Sequence, residues 1–193
     1  MDINKENLLA EAKRRIDYGG VIATGIGAFA IIIRSVCEPE MTTEILLRRR
    51  TEKESIIHDK DLSGKWELPG GGMKQDDLVP GGDGYFGSIA RTLWREVREE
   101  TGLDLLEWKL SGAIFPAMLA REEGKQSLID FALAVRINWK NDFATKDYQS
   151  RLQRGEIKWV KVGDLDKIKI VSPRMKFLIW QTVNDYMGFK RLE

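Results

Sequence analysis

Cysteine, histidine and long apolar runs are scarce in this sequence of 193 residues. The single cysteine, Cys37, excludes an internal disulfide and a metal–thiolate cluster. The one histidine, His58, lies in a polar stretch and is expected at the surface. The longest apolar stretch, residues 21–33, is shorter than the roughly 20 apolar residues of a membrane-spanning helix. The first residues lack the basic and apolar regions of a secretory signal, so we expect a cytoplasmic protein without membrane contact.

Charge of one sign is not in excess either. The chain has 31 Lys and Arg against 30 Asp and Glu, which is a formal net charge of +1. A protein that tracks nucleic-acid phosphates needs a clear excess of basic residues, so nucleic acid is not an expected partner. With 42% apolar residues, residues 1–193 are predicted to form one globular domain with its own core.

The spacing of apolar residues predicts the order helix, strands, helix, strands, helix. Residues 1–18 are predicted to form an N-terminal helical extension that ends at Gly19 and Gly20. The sequence leaves open whether this extension packs against a second subunit in a homodimer. Strands are predicted over residues 21–33, 43–50, 66–68, 108–114, 127–137 and 156–162, with an irregular loop over residues 70–87. A final helix is predicted from Pro173.

A central helix is predicted after the loop. Ile89, Leu93 and Val97 recur at helical spacing and form one apolar stripe. Ser88 is placed to cap the beginning of this helix. Gly102 is placed to supply a left-handed residue at its end.

Three glutamates share one face of this helix. Glu96, Glu99 and Glu100 stand at positions i, i+3 and i+4, within about 100° of arc. Carboxylates so placed repel one another unless cations lie among them, and hard oxygen ligands select Mg²⁺ or Mn²⁺ over zinc. The alternative is a solvated helix face. Against it, Arg91 and Arg98 already occupy the outward side, so the acidic face is placed to line a cleft.

The same helix resembles part of a known family motif. Residues 95–103, Arg-Glu-Val-Arg-Glu-Glu-Thr-Gly-Leu, match the second half of the Nudix box. Residues 66–72, Trp-Glu-Leu-Pro-Gly-Gly-Gly, resemble the strand and glycine turn that open the box. The resemblance, which covers residues 64–103, implies an α/β Nudix fold in which a mixed β-sheet is sandwiched between α-helices.

Two departures from the family pattern bear on function. Between Gly71 and Arg95 the chain is ten residues longer than the pattern, as if a loop had been inserted. Gly87 occupies the position of the first box glutamate, and no nearby carboxylate replaces it cleanly, although Asp83 or Asp77 could reach in from the loop. The change concerns metal affinity more than the fold. It motivates an alternative function, a Nudix-like nucleotide-binding module with weak or no catalysis.

The resemblance implies hydrolysis that depends on Mg²⁺ or Mn²⁺. The implied substrate is a small molecule, a nucleoside diphosphate linked to another moiety. Glu96, Glu99 and Glu100 are the implied metal ligands, with a further ligand in the backbone carbonyl of Gly71. Arg95 stands four residues before Glu99, a spacing that suits orientation of the carboxylates rather than contact with substrate.

A general base is also needed for hydrolysis. Glu156 is the first candidate, because a glutamate shortly before a tryptophan such as Trp159 recurs in Nudix sequences. Glu122 and Glu123, in another predicted loop, compete for this role.

Three consecutive arginines end the second predicted strand. Successive side chains of a strand point to opposite faces, so Arg48, Arg49 and Arg50 cannot all have one environment. We expect at least one of them to face the substrate phosphates and the others to face solvent.

Overall fold

A seven-stranded mixed sheet lies at the centre of the fold. The computed structural model describes residues 17–18, 21–22, 25–37, 41–52, 62–79, 84–104, 116–123, 126–136 and 145–190. A separate hairpin consists of β1 (Asp17–Tyr18) and β2 (Val21–Ile22). The strands of the sheet are β3 (Gly25–Cys37), β4 (Met41–Arg49), β5 (Trp66–Glu67), β6 (Gly70–Gly72), β7 (Pro116–Glu123), β8 (Gln126–Arg136) and β9 (Ile157–Lys161).

Strand β3 is central to the sheet. It pairs in parallel with β8 and antiparallel with β4 and β6. β4 also pairs antiparallel with β5 and β9, and β7 with β8. Ile31, Ile32 and Ile33 are fully buried, as expected for a strand covered on both faces, which explains the unbroken apolar run in the sequence. The predicted antiparallel return of residues 43–50 is confirmed by β4.

Helices cover both faces of the sheet. They are α1 (Gly84–Thr101), α2 (Lys146–Gln153) and α3 (Pro173–Lys190). Alternate residues of β3 pack toward opposite sides because side chains alternate along a strand. One core cluster joins Ala28, Ala30 and Ile32 of β3 to α1 and α2, and the other joins Phe29, Ile31 and Ile33 to α3. The predicted α/β fold, a mixed sheet between helices, is confirmed.

Helix α1 begins earlier than predicted. Its apolar stripe is buried as expected, but the helix starts at Gly84 rather than at Ser88. The prediction that Ser88 caps the helix is therefore wrong. The Ser88 hydroxyl instead accepts a hydrogen bond of 2.9 Å from the backbone N–H of Val79. At the other end Gly102 has a φ of 74°, which confirms the predicted left-handed residue.

The prediction of an irregular loop over residues 70–87 is wrong in part. Gly70–Gly72 form β6, opposite residues 27–29 of β3, and Gln75–Asp77 form a 3₁₀ turn. A Cβ on Gly70 would lie 2.3 Å from the carbonyl oxygen of Ala28, so only glycine permits this approach to β3. Because glycine runs have low strand propensity, the sequence pattern does not reveal β6.

The end of the predicted N-terminal extension is a strand rather than a helix. Asp17–Tyr18 pair antiparallel with Val21–Ile22. The strand predicted over residues 21–33 is consequently divided between β2 and β3, and β3 continues to Cys37. Residues 1–16, with any dimer contact they make, lie outside the described residues, as does the strand predicted over residues 108–114.

The helix α2 is not predicted by apolar periodicity, because Tyr148 is its only buried residue. The hydroxyl of Thr145 caps α2 by accepting a hydrogen bond of 3.1 Å from the N–H of Tyr148. The same hydroxyl donates to the carbonyl of Gly102 at 2.6 Å. Helix α2 is thereby held against the end of α1.

The later predicted elements are confirmed. Strands β8 and β9 match residues 127–137 and 156–162 within one residue at each end, and α3 begins at Pro173 as expected. Among the helices that the structure describes, none has both the length and the apolar character needed to cross a membrane.

Candidate active site

The C-terminal half of α1 lies directly against β6. A Cβ on Gly71 would lie 2.7 Å from the carboxyl carbon of Glu96, so the glycine leaves room for the carboxylate in its present position. The N–H of Gly70 donates a hydrogen bond of 2.8 Å to Oε2 of Glu100. The glycine strand and two of the three predicted glutamates therefore form one site.

Arg95 lies among the carboxylates and uses all five of its N–H groups. Its Nε and Nη2 donate to the carboxylate of Asp77 at 3.0 and 2.7 Å, and Nη2 also donates to the carbonyl of Gly72 at 3.1 Å. Its Nη1 donates to Glu96 at 2.6 Å and to Glu99 at 3.4 Å. The hydrogen bond to Asp77, more than that to Glu96, holds the pKa of Arg95 above its ordinary value. Within the described residues Arg95 is thus bound to protein groups.

Asp77 is the buried partner of Arg95, with 3% of its surface exposed. It also accepts hydrogen bonds from the backbone N–H of Lys74 at 2.8 Å and from the hydroxyl of Thr92 at 3.2 Å. Burial alone would raise the pKa of Asp77, but the hydrogen bonds from Arg95 and Lys74 outweigh it and lower the pKa below its ordinary value. Of the two predicted substitutes for the box glutamate, Asp77 is the one found at the site, and Asp83 lies outside the described residues.

Both oxygens of Glu100 contact donors of the protein. Oε1 lies 2.9 Å from Nη2 of Arg48, and Oε2 accepts the hydrogen bond from Gly70. Burial raises the pKa of Glu100 to about 8 against the opposing effects of Arg48 and the Gly70 N–H, and the carboxylates of Glu67 and Glu96 add to the rise. The carboxyl group of Glu100 therefore keeps its proton to a higher pH than an ordinary glutamate does.

Arg48 and Arg50 form a buried ionic group with Glu67. The Glu67 carboxylate contacts Nη2 of Arg48 and lies 2.8 Å from Nε of Arg50. Arg49 points to the other side of the strand and is exposed, as the predicted alternation requires. Arg49 alone of the three matches the expected exposure to solvent, since Arg48 and Arg50 both neutralise the buried carboxylate of Glu67. The family motif does not point to Glu67, although a lone charge between Trp66 and Leu68 in a predicted strand is a usable signal.

The carboxylates suit a hard divalent cation in their chemistry. Glu96 and Glu99 both contact Nη1 of Arg95, so their oxygens lie close together, and the side chain of Glu99 is 54% exposed. No group of three or more His, Cys, Asp or Glu side chains is positioned to hold a metal ion within the described ranges. Glu100 departs from the other two because it turns toward Arg48.

Glu156 lies just before β9 and is paired with arginine. Its carboxylate accepts hydrogen bonds from Nε and Nη2 of Arg154 at 2.6 and 3.0 Å and lies 3.8 Å from Arg151. The hydrogen bond from Arg154 lowers the pKa of Glu156, which makes its carboxylate a weaker proton acceptor. The prediction that the competing Glu122 and Glu123 lie in a loop is wrong, because both residues end strand β7, paired with Ser127 and Gln126 of β8.

A cleft of about 960 Å³ lies beside α1. Its lining includes Glu99 and Arg95, and also Trp94 and Arg98 of α1 and Arg151 of α2. This volume is in the range of sites for small ligands, which is roughly 300–1,000 Å³. The exposed side of the carboxylate site thus opens on a space of suitable size.

A comparison with known protein families identifies the family to which the chain belongs. Its sequence matches the NUDIX domain over residues 28–181. The chain belongs to the Nudix family. Membership of this family supports a hydrolase that acts on pyrophosphate bonds. No curated protein matches the sequence.

Solved structures share the Nudix fold at low sequence identity. A mutT/nudix family protein from Listeria innocua has a TM-score of 0.58 and 17% identity, over 88% of this chain and 98% of that one. The NUDIX domain of Shewanella oneidensis NrtR complexed with ADP ribose has a TM-score of 0.55 and 13% identity, over 92% and 97%. A C. elegans Ap4A hydrolase has a TM-score of 0.52 and 17% identity, over 86% and 98%. At these identities the likeness shows the fold alone.

Proposed function

We propose that this Nudix protein is a Mg²⁺- or Mn²⁺-dependent pyrophosphohydrolase. Its substrate would be a small molecule in which a nucleoside diphosphate is linked to another moiety, and the bond cleaved is within the diphosphate. The observation that carries the proposal is the contact of Glu96 and Glu99 with one nitrogen of Arg95, beside the glycine strand β6 and the cleft.

The metal ligands in this proposal are Glu96, Glu99 and Glu100, with the backbone carbonyl of Gly71. A bound divalent ion would neutralise the diphosphate oxygens and lower the pKa of a bound water. For Glu100 to contribute, its carboxylate must be ionised, which the positive charge of Arg48 at 2.9 Å favours.

The other catalytic residues in the proposal orient the metal-binding carboxylates and accept the proton of the attacking water. Arg95 holds the carboxylates of Glu96 and Glu99 in place. Glu156 would accept the proton of the attacking water through a carboxylate oxygen, and it must first give up its pairing with Arg154. Glu156→Gln tests this role, since a base is expected to contribute about 10²–10⁴-fold to kcat.

Two neighbours supply the first compounds for a substrate panel. One solved structure is complexed with ADP ribose and another is an Ap4A hydrolase, so both compounds belong in the panel with nucleoside triphosphates and sugar nucleotides. Each compound is incubated with the full chain and Mg²⁺ or Mn²⁺, and phosphorylated products are separated by chromatography.

We expect turnover that chelation abolishes and that Glu99→Gln lowers by at least about 100-fold. Glu52→Gln is the matched control, because it makes the same change at an exposed residue. A panel without turnover in either metal contradicts the proposal. Nucleotide binding by calorimetry without turnover would instead favour the non-catalytic binding module that Gly87 motivates.

A further inference from the structure

The loop before α1 folds back onto the first half of that helix. The N–H of Val79 donates to the hydroxyl of Ser88 at 2.9 Å, and Val79 also covers Gly87. A Cβ at position 87 would lie 3.3 Å from two carbons of the Val79 side chain, tighter than ordinary packing. The lack of a side chain at Gly87 therefore leaves the room that Val79 of the loop occupies.

The same loop brings Asp77 against Arg95. Asp77 lies at the end of the 3₁₀ turn, and both of its carboxylate oxygens accept hydrogen bonds from Arg95. This fork geometry fixes the plane of the guanidinium. With Nε and Nη2 engaged, the remaining edge of the guanidinium, Nη1, is directed at Glu96 and Glu99. The orientation of the Glu96 and Glu99 carboxylates thus depends on a residue that is not on their helix.

Asp77 is not suited to bind a ligand itself. It already accepts four hydrogen bonds, two from Arg95, one from Lys74 and one from Thr92. Three of these bonds reach Oδ2 and one reaches Oδ1, and only 3% of the surface of Asp77 is exposed, so protein donors enclose the carboxylate. Its action on the site must pass through Arg95.

We propose that Asp77 is the positioning residue of the carboxylate site, supplied by the inserted loop in place of a carboxylate that α1 lacks at Gly87. It holds Arg95 and, through Arg95, sets Glu96 and Glu99 for a divalent cation. The inference rests on the proposed function, since it assigns a role toward the same cation.

The test measures Mn²⁺ affinity of the full chain by calorimetry and by electron paramagnetic resonance. Partners that orient metal ligands typically contribute 10–100-fold to affinity, so Asp77→Asn is expected to raise the Mn²⁺ dissociation constant by about 10–100-fold. Asp76→Asn is the matched control, because it removes the same charge from an exposed position of the same turn. It is expected to change the constant less than about twofold.

A double variant separates a positioning role from a merely structural one. In an Arg95→Met background, Asp77→Asn should change the Mn²⁺ dissociation constant by less than about twofold. The reason is that Asp77 acts through Arg95, which this background lacks. Equal affinity in Asp77→Asn and Asp76→Asn overturns the inference. The inference is also overturned if the effects of Asp77→Asn and Arg95→Met on the dissociation constant multiply in the double variant.

A measurement on the wild-type chain tests the inference even if no Asp77 variant folds. The Nε–H of Arg95, assigned by its loss in Arg95→Lys, should exchange slowly with water in ¹⁵N NMR because it donates to Asp77. Exchange as fast as that of free arginine overturns the inference. Failure of the proposed function has a different signature, a wild-type chain that neither binds Mn²⁺ nor hydrolyses the panel.

Discussion

At Gly71 the backbone lies close to the carboxylate of Glu96, and this contact restricts the side chains that position 71 can accept. Glu96 is 9% exposed, packed beneath β6 and bound to Arg95, so it has little freedom to move away from an added atom. Gly72 lies next in the strand, but a Cβ there would meet nothing within 4 Å. Two neighbouring glycines of one short strand therefore differ in what they tolerate.

Gly71→Ala is expected to lower kcat/KM by about 100-fold, since its Cβ would lie 2.7 Å from the Glu96 carboxylate and must displace it. The measurement is steady-state hydrolysis of the best panel compound. Gly72→Ala should stay near wild type, because its Cβ would meet open space and its carbonyl still accepts from Arg95. Similar losses in both variants would show that β6 tolerates no side chain at all, whatever Glu96 does.

At the scale of elements, the junction of α1 and α2 is held by side chains that donate to backbone carbonyls at the end of α1. The carbonyls at the end of α1 find partners in α2 and its cap, through Thr145 to Gly102 and Arg151 to Glu100. Such partners satisfy groups that a helix end leaves without intrahelical bonds. A Cβ on Gly102 would lie 2.6 Å from the backbone nitrogen of Tyr148, so the two helices can approach only at a glycine.

Two glycine substitutions separate backbone strain from steric overlap at this junction. Gly155, just after α2, has a φ of 68° but open space around it, so Gly155→Ala should cost about 1–2 kcal/mol in the free energy of unfolding. Gly102→Ala has the same backbone strain and must also push α2 away, so its cost should be larger. Urea denaturation measures both. Equal costs would contradict the inferred contact between α1 and α2.

At the scale of the whole molecule, charge is balanced locally as well as in total. The three glutamates of α1 alone would make a strongly negative site. Arg48 and Arg50 pair with the buried Glu67, and Arg95 pairs with the buried Asp77. Arg48 also contacts Glu100 and Arg95 contacts Glu96, so the site is less negative than the three glutamates alone would make it. Glu100 still has a raised pKa, because burial outweighs its pairing with Arg48.

The pKa of Glu100 predicts how stability varies with pH. In the folded chain the pKa is about 8 and its ordinary value is 4.5, so between these pH values the folded chain binds a proton that the unfolded chain releases. Stability of the metal-free chain should therefore fall as pH rises from about 4.5 to 8, by at most about 1.4 kcal/mol per pH unit. Urea denaturation at pH 5 and pH 8, with a chelator present, measures the fall.

Glu100→Gln should flatten this profile, because it removes the titrating group. Glu52→Gln, at an exposed position, should leave the profile as in wild type. A wild-type chain whose stability is constant across this window would contradict the raised pKa.

Local sequence predicts the elements whose signal lies within one segment. The stripe on α1, the left-handed Gly102 and the apolar run of β3 follow from spacing and composition, and each is found. Helix α2 and strand β6 are missed because their stability comes from partners distant in sequence. Tyr148 is the one residue of α2 that is buried, and Gly70–Gly72 form a strand only because β3 lies beside them.

The sequence by itself determined the family, the fold class and the helix that carries Glu96, Glu99 and Glu100, since residues 95–103 hold that information in one continuous run. Only the tertiary structure decided which charges meet. It selected Asp77 as the partner of Arg95, buried Arg48 with Glu67, and turned Glu100 toward Arg48. Contacts between residues far apart in the chain depend on how the loop and the strands pack, and no local spacing encodes that geometry.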